Sequence, residues 1–381
     1  MNDAADDPAD DDLPLAGVKV LDLSRVLAGP WCAMVLGDFG ADVLKIEHPE
    51  RGDDTRDWGN RTGETTTTYF DSINRNKRSI SLDLHSETGI AEVGRLVKNA
   101  DILVQNFKFG GADRLGIGYE AMAAINPGLI YCSVSGYPPD GPEAARPGYD
   151  LLVQGEAGLM AINGEADQPP LKFGVAVVDL FTGQYAAQAV LAALYRRSRT
   201  GRGSHVALSL FDCGQNLLVY YGLDALHDGR DPPRWGNAHP SIVPYGVYET
   251  ADGPLVVTVG NNAQFLRFCT EVIERPDIAA DPRFRTNLDR GTHRAALIPE
   301  ILRELRARPR AELRRRLDAA GIPGGEVLGV HEALTSERTR RAGGVVQETN
   351  AQGERFVLAP PYRIDGRRLQ VRMMPPPLER V

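Results

Sequence analysis

The sequence predicts an α/β fold in which a mostly parallel sheet is covered by helices on both faces. Short apolar segments alternate with segments of helical periodicity through the first 135 residues, and two strands joined by a helix form a parallel βαβ unit. The chain has 381 residues and 42% hydrophobic content, which is enough to bury a large core and suits two to three domains.

The predicted strands and helices follow one another in regular order along this part of the chain. Apolar, often β-branched segments predict strands at 18–23, 42–47, 79–84, 102–106 and 129–135. Pro30 can occupy the first turn of a helix, so one helix is predicted from Pro30 to near Gly40. Further helices are predicted at 88–98 and 119–125. This order is typical of a doubly wound sheet.

The pattern changes after residue 225. Residues 226–245 are rich in Gly, Pro, Asp and His and predict a linker. A hairpin at 247–259, a helix at 265–273, helical residues 295–319 divided at Pro309, and strand-like residues 346–371 follow. We therefore predict the first part of a large domain at 15–225, a small domain with its linkers at 226–330, and a return to the large domain at 331–381.

The charge distribution excludes some classes of function. The formal net charge is −8, and six aspartates lie within the first 12 residues, so residues 1–14 are predicted to be a disordered acidic tail. The remaining chain is nearly balanced in charge, which argues against a nucleic-acid partner. No segment is predicted to span a membrane and no signal peptide is recognised at the start.

The residues that bind metals and nucleotides show no familiar pattern either. The four cysteines are scattered and predicted to be buried and reduced, which favours a cytoplasmic protein, and the seven histidines lack metal-ligand spacing. Neither a G-x-G-x-x-G nor a Walker pattern occurs, so NAD and ATP have little support. The turn Ala28-Gly29-Pro30 fits equally well a tight turn before a helix and a backbone platform for a ligand.

Asp179 stands where the apolar, extended segment 172–178 meets a long alanine-rich helix that ends at Gly201. Local sequence favours Asp179 as the N-cap of that helix over a catalytic role. Two details weaken this interpretation. Thr182 occupies the third position after it, so no capping box forms, and Gly183 in the first turn lowers helix stability but permits a close approach to the backbone.

An ordered series of motifs resembles the class III CoA-transferases, the family of formyl-CoA transferase and carnitine CoA-transferase. The first and longest motif is LAGVKVLDLSRVLAGPWCAMVLGDFGADVLKIE at 15–47. The others, in chain order, are NKRSI at 76–80, VQNF at 104–107, RLG at 114–116, GYD at 148–150, VD at 178–179 with Gly183, RTGRG at 199–203, VGN at 259–261 and GIP at 321–323. The resemblance covers nearly all of the chain after the acidic tail.

The resemblance implies a fold and a reaction. Such proteins have a Rossmann-like large domain built from both chain ends, a smaller inserted α+β domain, and two subunits interlocked as a homodimer. The matching aspartate, Asp179, is the nucleophile that attacks an acyl-CoA thioester, forming an aspartyl anhydride and then an aspartyl-CoA thioester. The CoA thioester is a substrate, no tightly bound cofactor is implied, and a carboxylic acid accepts the CoA. An aspartate with an ordinary pKa near 3.9 is ionised at neutral pH and needs no general base.

The resemblance also implies roles for individual residues. Those expected to contact CoA are Val26, Ala28, Lys77, Asn106, Phe107 and Arg114. Those expected to contact the acyl or acceptor group are Leu27, Tyr149, Asp150, His239, Gly260 and Asn261. Helix N-terminal amides would stabilise charge on the attacked carbonyl, and a small-residue loop at 260–264 would close over the site.

Two other functions remain as alternatives. Acyl-CoA racemases or epimerases resemble this chain but carry a histidine base where this chain has Tyr149, whose ordinary pKa near 10 suits a base poorly. A non-catalytic CoA-binding protein of the same fold is the other alternative, and retention of Asp179 argues against it. Residues 236–245 are similar to relatives that use succinyl-CoA with dicarboxylic acids. There, His239 and Arg234 could meet a second carboxylate, or the segment could be a well-packed linker.

Overall fold

A computed structural model describes residues 12–351 and 353–379, so most of the predicted acidic tail lies outside the described residues. The chain divides into a large unit of residues 1–159, 172–227 and 334–381 and a small unit of residues 160–171 and 228–333. The prediction placed 160–171 with the large domain instead. Those residues group with the small unit because the Arg234 side chain donates to the backbone carbonyls of Glu165, Ala166 and Gln168.

The large unit contains a six-stranded, all-parallel sheet. A mostly parallel sheet and five of its strands were predicted, but the sixth strand, at 204–209, was not. The strands are β1 (Lys19–Asp22), β2 (Asp42–Glu47), β3 (Lys77–Ser81), β4 (Ile102–Gln105), β5 (Ile130–Ser135) and β6 (Ser204–Ser209). They lie in the order β3-β2-β1-β4-β5-β6. The third strand was predicted at 79–84, but pairing with β2 begins at Lys77 opposite Val43. A short strand that is buried on both faces shows little alternation of apolar and polar residues, so its ends are difficult to predict from the sequence.

Helices cover both faces of this sheet. They are α1 (Ala28–Asp38), α2 (Thr68–Ile73), α3 (Glu87–Val97), α4 (Gly111–Arg114), α5 (Tyr119–Ile125), α6 (Asp150–Glu156), α8 (Val177–Thr200), α9 (Leu210–Asn216) and α10 (Val219–Asp228), with a 3₁₀ turn at Asp54–Asp57. The short helix α7 (Leu159–Ile162) consists mostly of residues of the small unit. Helix α1 begins at Ala28 rather than Pro30, because the Trp31 amide already donates to the Leu27 carbonyl. Gly201 ends α8 with a φ of 70°, as predicted.

The small unit combines a three-stranded antiparallel sheet with helices. Its strands are β7 (Tyr245–Thr250), β8 (Gly253–Thr258) and β9 (Gly324–Glu326). Its helices are α11 (Asn262–Arg267), α12 (Pro276–Ala280), α13 (Asn287–Thr292), α14 (Arg294–Arg306), α15 (Arg310–Ala319) and α16 (Val330–Thr335), with a π-helical turn at Phe268–Val272 and a 3₁₀ turn at Pro282–Phe284. The predicted hairpin and the interruption at Pro309 are confirmed. The single helix predicted at 265–273 is instead α11 followed by the π turn.

The last part of the chain packs on the large unit. It contains α17 (Glu337–Ala342), the hairpin of β10 (Val345–Asn350) and β11 (Gly353–Leu358), and the short pair β12 (Arg363–Ile364) and β13 (Arg367–Arg368). The Asn76 side-chain oxygen accepts from the amides of Arg372 and Met373. The buried Arg355 guanidinium pairs with Asp71. These bonds attach the strands after residue 345 to the β3 side of the sheet.

Helix α8 packs along α1 at the centre of the large unit. Its side chains at Val178, Thr182, Ala186 and Val190 are buried, and a Cβ on Gly183 would lie 2.5 Å from the Ala28 carbonyl oxygen. The group that approaches Gly183 is therefore the first turn of α1. By length and composition alone α8 could cross a membrane, contrary to the prediction, but one such helix is weak evidence and the same test accepts a core helix.

The α1–α8 contact can be tested through Gly183. We expect Gly183→Ala to lower the free energy of unfolding by about 1–3 kcal/mol, because the added methyl group must push the two helices apart. Gly291→Ala in α13 is the matched control, since its methyl group would meet nothing within 4 Å and alanine favours a helix. Urea unfolding measures both variants, and wild-type stability in Gly183→Ala would contradict the close packing.

Candidate active site

A cleft of about 180 Å³ opens at the carboxyl ends of β1, β4 and β5. Its walls are residues 25–28 after β1, 106–109 after β4, 134–136 at the end of β5, and 144–149. The order of strands reverses between β1 and β4, and at such a point the loops diverge and leave a crevice for a ligand. Asp179 reaches this crevice from the first turn of α8.

The cleft brings together residues that are far apart in the sequence. Among the residues predicted for the site, those that line it are Val26, Leu27, Ala28, Asn106, Phe107, Tyr149 and Asp179. Tyr149 is 68% exposed, and Asp150 follows it as the first residue of α6. Arg114 and Lys77 are not among the described lining residues.

Asp179 is not the N-cap of α8, so that prediction is wrong. The N-cap is Ala176, and Asp179 is the third residue of the helix. The cap is supplied by Asp150, whose Oδ1 accepts from the Val178 amide at 2.8 Å and from the Asp179 amide at 3.3 Å. A carboxylate 29 positions away therefore performs the capping role, and no local sequence signal could have shown this.

The amides at the start of α8 all have partners. Beyond the two that Asp150 accepts, the Val177 amide donates to the Val175 carbonyl and the Leu180 amide donates to the Ala176 carbonyl. They were predicted to stabilise charge on an attacked carbonyl. Because these amides already donate to protein groups, they cannot donate hydrogen bonds to a substrate. They act on Asp179 only through the positive electrostatic potential at the N-terminus of α8.

The environment of Asp179 makes it a weaker acid than an ordinary aspartate. Burial, and then the negative charge of Asp150, raise the pKa of Asp179 to about 7. Full ionisation at neutral pH was predicted from the ordinary pKa of aspartate. With its pKa raised to about 7, Asp179 is instead incompletely ionised near neutral pH.

Gln154 and Tyr69 are the neighbours of the two carboxyl groups of Asp150 and Asp179. The Gln154 amide donates to Asp150 Oδ2 at 2.6 Å, and its own oxygen accepts from the Phe173 amide at 2.8 Å, so Asp150 is held on both oxygens. Tyr69 lies within range of the same charges. Burial, followed by the charges of Asp179 and Asp150, raises the pKa of Tyr69, so its hydroxyl keeps its proton and can donate a hydrogen bond.

The turn before α1 is strained and held in place from both sides. Val26, a β-branched residue, has a φ of +70°, in the left-handed region that such residues rarely adopt. The Asn106 side chain accepts from the Arg25 amide and donates to the Arg25 carbonyl, and the Val26 amide donates to Asp53 Oδ1. Asn106, predicted to contact CoA, therefore shapes the cleft wall through its side chain. The turn is both tight and exposed to the cleft.

Lys77 does not serve the predicted phosphate contact in this structure. It is 1% exposed, and its Nζ donates to Asp22, to Asn74 and to the Pro30 carbonyl, each at 2.8–2.9 Å. An ammonium group has three protons, and all three are used. Burial lowers the pKa of Lys77 to about 8 against the opposing attraction of Asp22. Lys77 thus contributes a buried ion pair beneath α1 rather than a surface cation.

The other residues predicted for the site are described within their own units. Arg114 is exposed at the end of α4, and His239, Gly260 and Asn261 belong to the small unit. His239 Nδ1 accepts from the amides of Ser241 and Ile242. The loop predicted at 260–264 is largely helical, because residues 262–264 form the first turn of α11. The Asn261 side chain caps this helix, and Gln264 Oε1 accepts from the Gly260 amide. These bonds give the loop a defined shape.

Several basic side chains near the cleft were not identified from the sequence. Lys108 lines the cleft beside Phe107. A second cleft of about 180 Å³ shares Arg25 and Phe107 with the first, and His48, Arg51 and His85 also line it. His48 directly follows β2, and the signal that could have found it was therefore its position at the carboxyl end of a strand. Among the described residues, no group of three His, Cys, Asp or Glu side chains suits a metal ion.

Comparisons with known proteins agree with this architecture. Residues 15–380 match the model of CoA-transferase family III. The succinate–glutarate CoA-transferase of Agrobacterium fabrum is 42% identical over 336 residues, which cover 87% of this chain and 84% of the relative. The acetyl-CoA:oxalate CoA-transferase of Acetobacter aceti is 39% identical over 350 residues, or 90% of each chain.

A solved structure has the same fold. The crystal structure of a CaiB/BaiF family protein from Brucella suis superposes with a TM-score of 0.84 at 40% sequence identity, and the match covers 97% of both chains. The family match spans nearly the whole chain, and the relatives are matched over most of their own length. This protein therefore belongs to CoA-transferase family III and is a CoA-transferase.

Proposed function

We propose that this enzyme moves CoA from an acyl-CoA donor to a carboxylic acid through covalent intermediates on Asp179. The observation that supports this most is the position of Asp179: it is the partly buried carboxylate on the first turn of α8, in a cleft at the switch point of the sheet. Such crevices are the usual ligand sites of open α/β sheets. A carboxylate there can act as a nucleophile without help from a separate base.

The reaction proceeds in balanced steps. An Asp179 oxygen attacks the thioester carbonyl of the donor, the C–S bond breaks, and the CoA thiolate leaves behind a mixed anhydride. The thiolate then attacks the aspartyl carbonyl, the C–O bond breaks, and the donor acid departs as a carboxylate, leaving an aspartyl-CoA thioester. The acceptor carboxylate attacks this thioester and forms a second anhydride. Finally the released thiolate attacks the acceptor carbonyl, which frees the new acyl-CoA and the Asp179 carboxylate.

The raised pKa of Asp179 suits this cycle. A carboxylate of higher pKa is a better nucleophile, and burial strips it of part of its hydration. The same burial protects an anhydride from water. The cost is that the reactive ion is incompletely populated below pH 7.

We assign the CoA chain to the two adjoining clefts that share Phe107 and Arg25. The thioester end lies against residues 26–28 near Asp179, where the backbone of the strained turn faces the ligand. Lys108, and then His48, Arg51 and His85, supply cationic and hydrogen-bonding groups for the phosphates of the nucleotide end. Phe107 is placed between the clefts, where its ring can pack on the ligand.

The donor we propose is succinyl-CoA and the acceptor a dicarboxylic acid. The relative from Agrobacterium fabrum is named for succinate and glutarate, and the segment 236–245 led to the same inference from the sequence. The alternative of an α-epimerase has less support, because no histidine is found among the described residues that line the cleft with Asp179.

We also propose a cytoplasmic, interlocked homodimer. Described cysteines are buried and free, which suits a reducing compartment. Large apolar side chains of the large unit are exposed along α8 and α10, among them Tyr195, Leu223 and Leu226 at 68%, 68% and 83%. Apolar exposure of this extent is typical of an interface. Light scattering of the purified protein would test the dimer.

The reaction itself is tested by incubating the enzyme with succinyl-CoA and glutarate. We expect glutaryl-CoA and succinate, detected by mass spectrometry. Asp179→Asn should lower kcat by about 10³-fold or more, because the covalent route is lost. Borohydride should convert the trapped aspartyl thioester of the wild type into homoserine at position 179. Asp57→Asn, an exposed aspartate, is the control; exchange that survives in Asp179→Asn would disprove the mechanism.

The pH dependence tests the influence of Asp150. We expect kcat/KM to rise with pH through about 7, since only ionised Asp179 attacks. Asp150→Asn keeps an oxygen that can cap α8 but removes a negative charge, so the acid limb should move to lower pH. Asp54→Asn is the control, because Asp54 lines the cleft without raising the pKa of Asp179. If the acid limb of the kcat/KM profile lies at the same pH in Asp150→Asn as in the wild type, Asp150 does not raise the pKa of Asp179.

Stability provides a second readout of the same group. The pKa of Asp179 is about 7 in the folded protein and near 3.9 in the unfolded chain. The contribution of Asp179 to the free energy of unfolding therefore falls as pH rises from about 4 to 7. Asp179→Asn never ionises, and should therefore be more stable than the wild type by about 1–3 kcal/mol at pH 8, and about equally stable at pH 4. Urea unfolding at both pH values measures the difference. A constant difference would contradict the raised pKa.

A further inference from the structure

A third cavity of the large unit, of about 810 Å³, shares Leu27 with the cleft that contains Asp179. We call it the apolar chamber. Its walls are mostly hydrophobic; those that define it are Leu27, Trp31, Ile73, Val175, Leu180 and Tyr362. The proposed reaction assigns no ligand to this volume, which greatly exceeds that of the cleft containing Asp179.

The inner end of the chamber lies at the first turn of α8. Ala176 and Leu180, on either side of Asp179 in the helix, line the chamber, while Asp179 itself lines the cleft. Leu27 lines both cavities. Tyr69 also lines the chamber and lies close enough to Asp179 to respond to its charge. Leu27 is therefore the shared wall along which a group bound covalently to Asp179 would have to pass to enter the chamber.

Most charged groups in the chamber wall already have partners. Arg75 donates to both oxygens of Asp38 and neutralises it. Asp150 keeps its negative charge, but both of its oxygens are occupied by amide donors at the end of the chamber beside Asp179. Lys172 differs from these groups. Its Nζ lies 3.1 Å and 3.3 Å from the carbonyl oxygens of Phe173 and Gly174, and no carboxylate among the described residues forms an ion pair with it.

An apolar chamber with one uncompensated cation selects a particular ligand chemistry. The apolar wall favours a methylene chain, and the ammonium group favours an anion at the far end of that chain. An acid that reacts at one carboxylate beside Asp179 and carries a second carboxylate beyond a short methylene spacer meets both conditions. A monocarboxylic acid of equal length would fill the chamber but leave Lys172 without a partner.

We propose that the chamber receives the organic chain of the exchanged acid, and that Lys172 binds its distal carboxylate and so determines the preference for dicarboxylic over monocarboxylic acids. This inference rests on the proposed exchange at Asp179 and adds a site and a residue to it. Lys172 is a specificity-determining residue: it contacts the far end of the substrate and takes no part in bond formation.

The test compares glutarate with pentanoate, which have the same number of carbons, as acceptors from succinyl-CoA. Lys172→Met keeps the length of the side chain but removes its charge. It should lower kcat/KM for glutarate by about 10- to 100-fold, the value of a charge-assisted hydrogen bond, and leave pentanoate unchanged. Lys172→Arg should retain the preference for glutarate. Lys98→Met, an exposed lysine at the end of α3, is the matched control.

The outcomes separate this inference from the proposed function. If Lys172→Met transfers CoA to both acids with the wild-type ratio, or loses both equally, the role of Lys172 is disproved while the exchange at Asp179 stands. If the wild type transfers CoA to neither acid, the proposed function fails and this inference fails with it. Lys172 is exposed, so its variants should fold, and circular dichroism together with activity toward pentanoate verifies that they do.

Discussion

The contact between Asp150 and the first turn of α8 is the interaction on which the site depends. One carboxylate, delivered by α6, caps a helix that begins 27 residues later, and thereby sets where Asp179 stands. The same charge opposes ionisation of Asp179 and raises its pKa. A neutral cap would hold the helix equally well, so the choice of a carboxylate adds an electrostatic effect to a structural one.

A second constraint acts from below the turn at 25–28. The strained φ of Val26 is held by Asn106 and Asp53, and Asp53 pairs at 2.9 Å with a fully buried Lys45. Buried ion pairs contribute little net stability, but removing one partner leaves an uncompensated charge. Such a network is therefore a rigid support. The strained backbone conformation in the cleft wall persists because several hydrogen bonds from surrounding residues hold it in place.

The α1–α8 packing joins these two constraints. Gly183 allows the first turn of α1 to approach α8 so closely that the Ala28 carbonyl lies where a side chain would be. The strained turn and Asp179 then line one cleft, and Leu27 is shared between this cleft and the apolar chamber. The raised pKa of Asp179 lowers the stability of the folded protein at neutral pH. Functional sites commonly have lower stability where reactivity requires it.

Hydrophobic periodicity and ordered motifs are local properties, and they were enough to predict the parallel sheet, the longer helices α1, α3 and α8, and the family. Short helices such as α2, α4, α6 and α9 were not predicted, because they carry too little periodicity to be recognised. The sequence also indicated Gly183 as a point of close approach. Only the tertiary structure decided that Asp150 caps α8, that Lys77 is buried and that Asp179 has a raised pKa. Burial and contacts between distant residues cause each of these, and no local pattern encodes them. The unpaired charge of Lys172 beside an apolar chamber belongs to the same class.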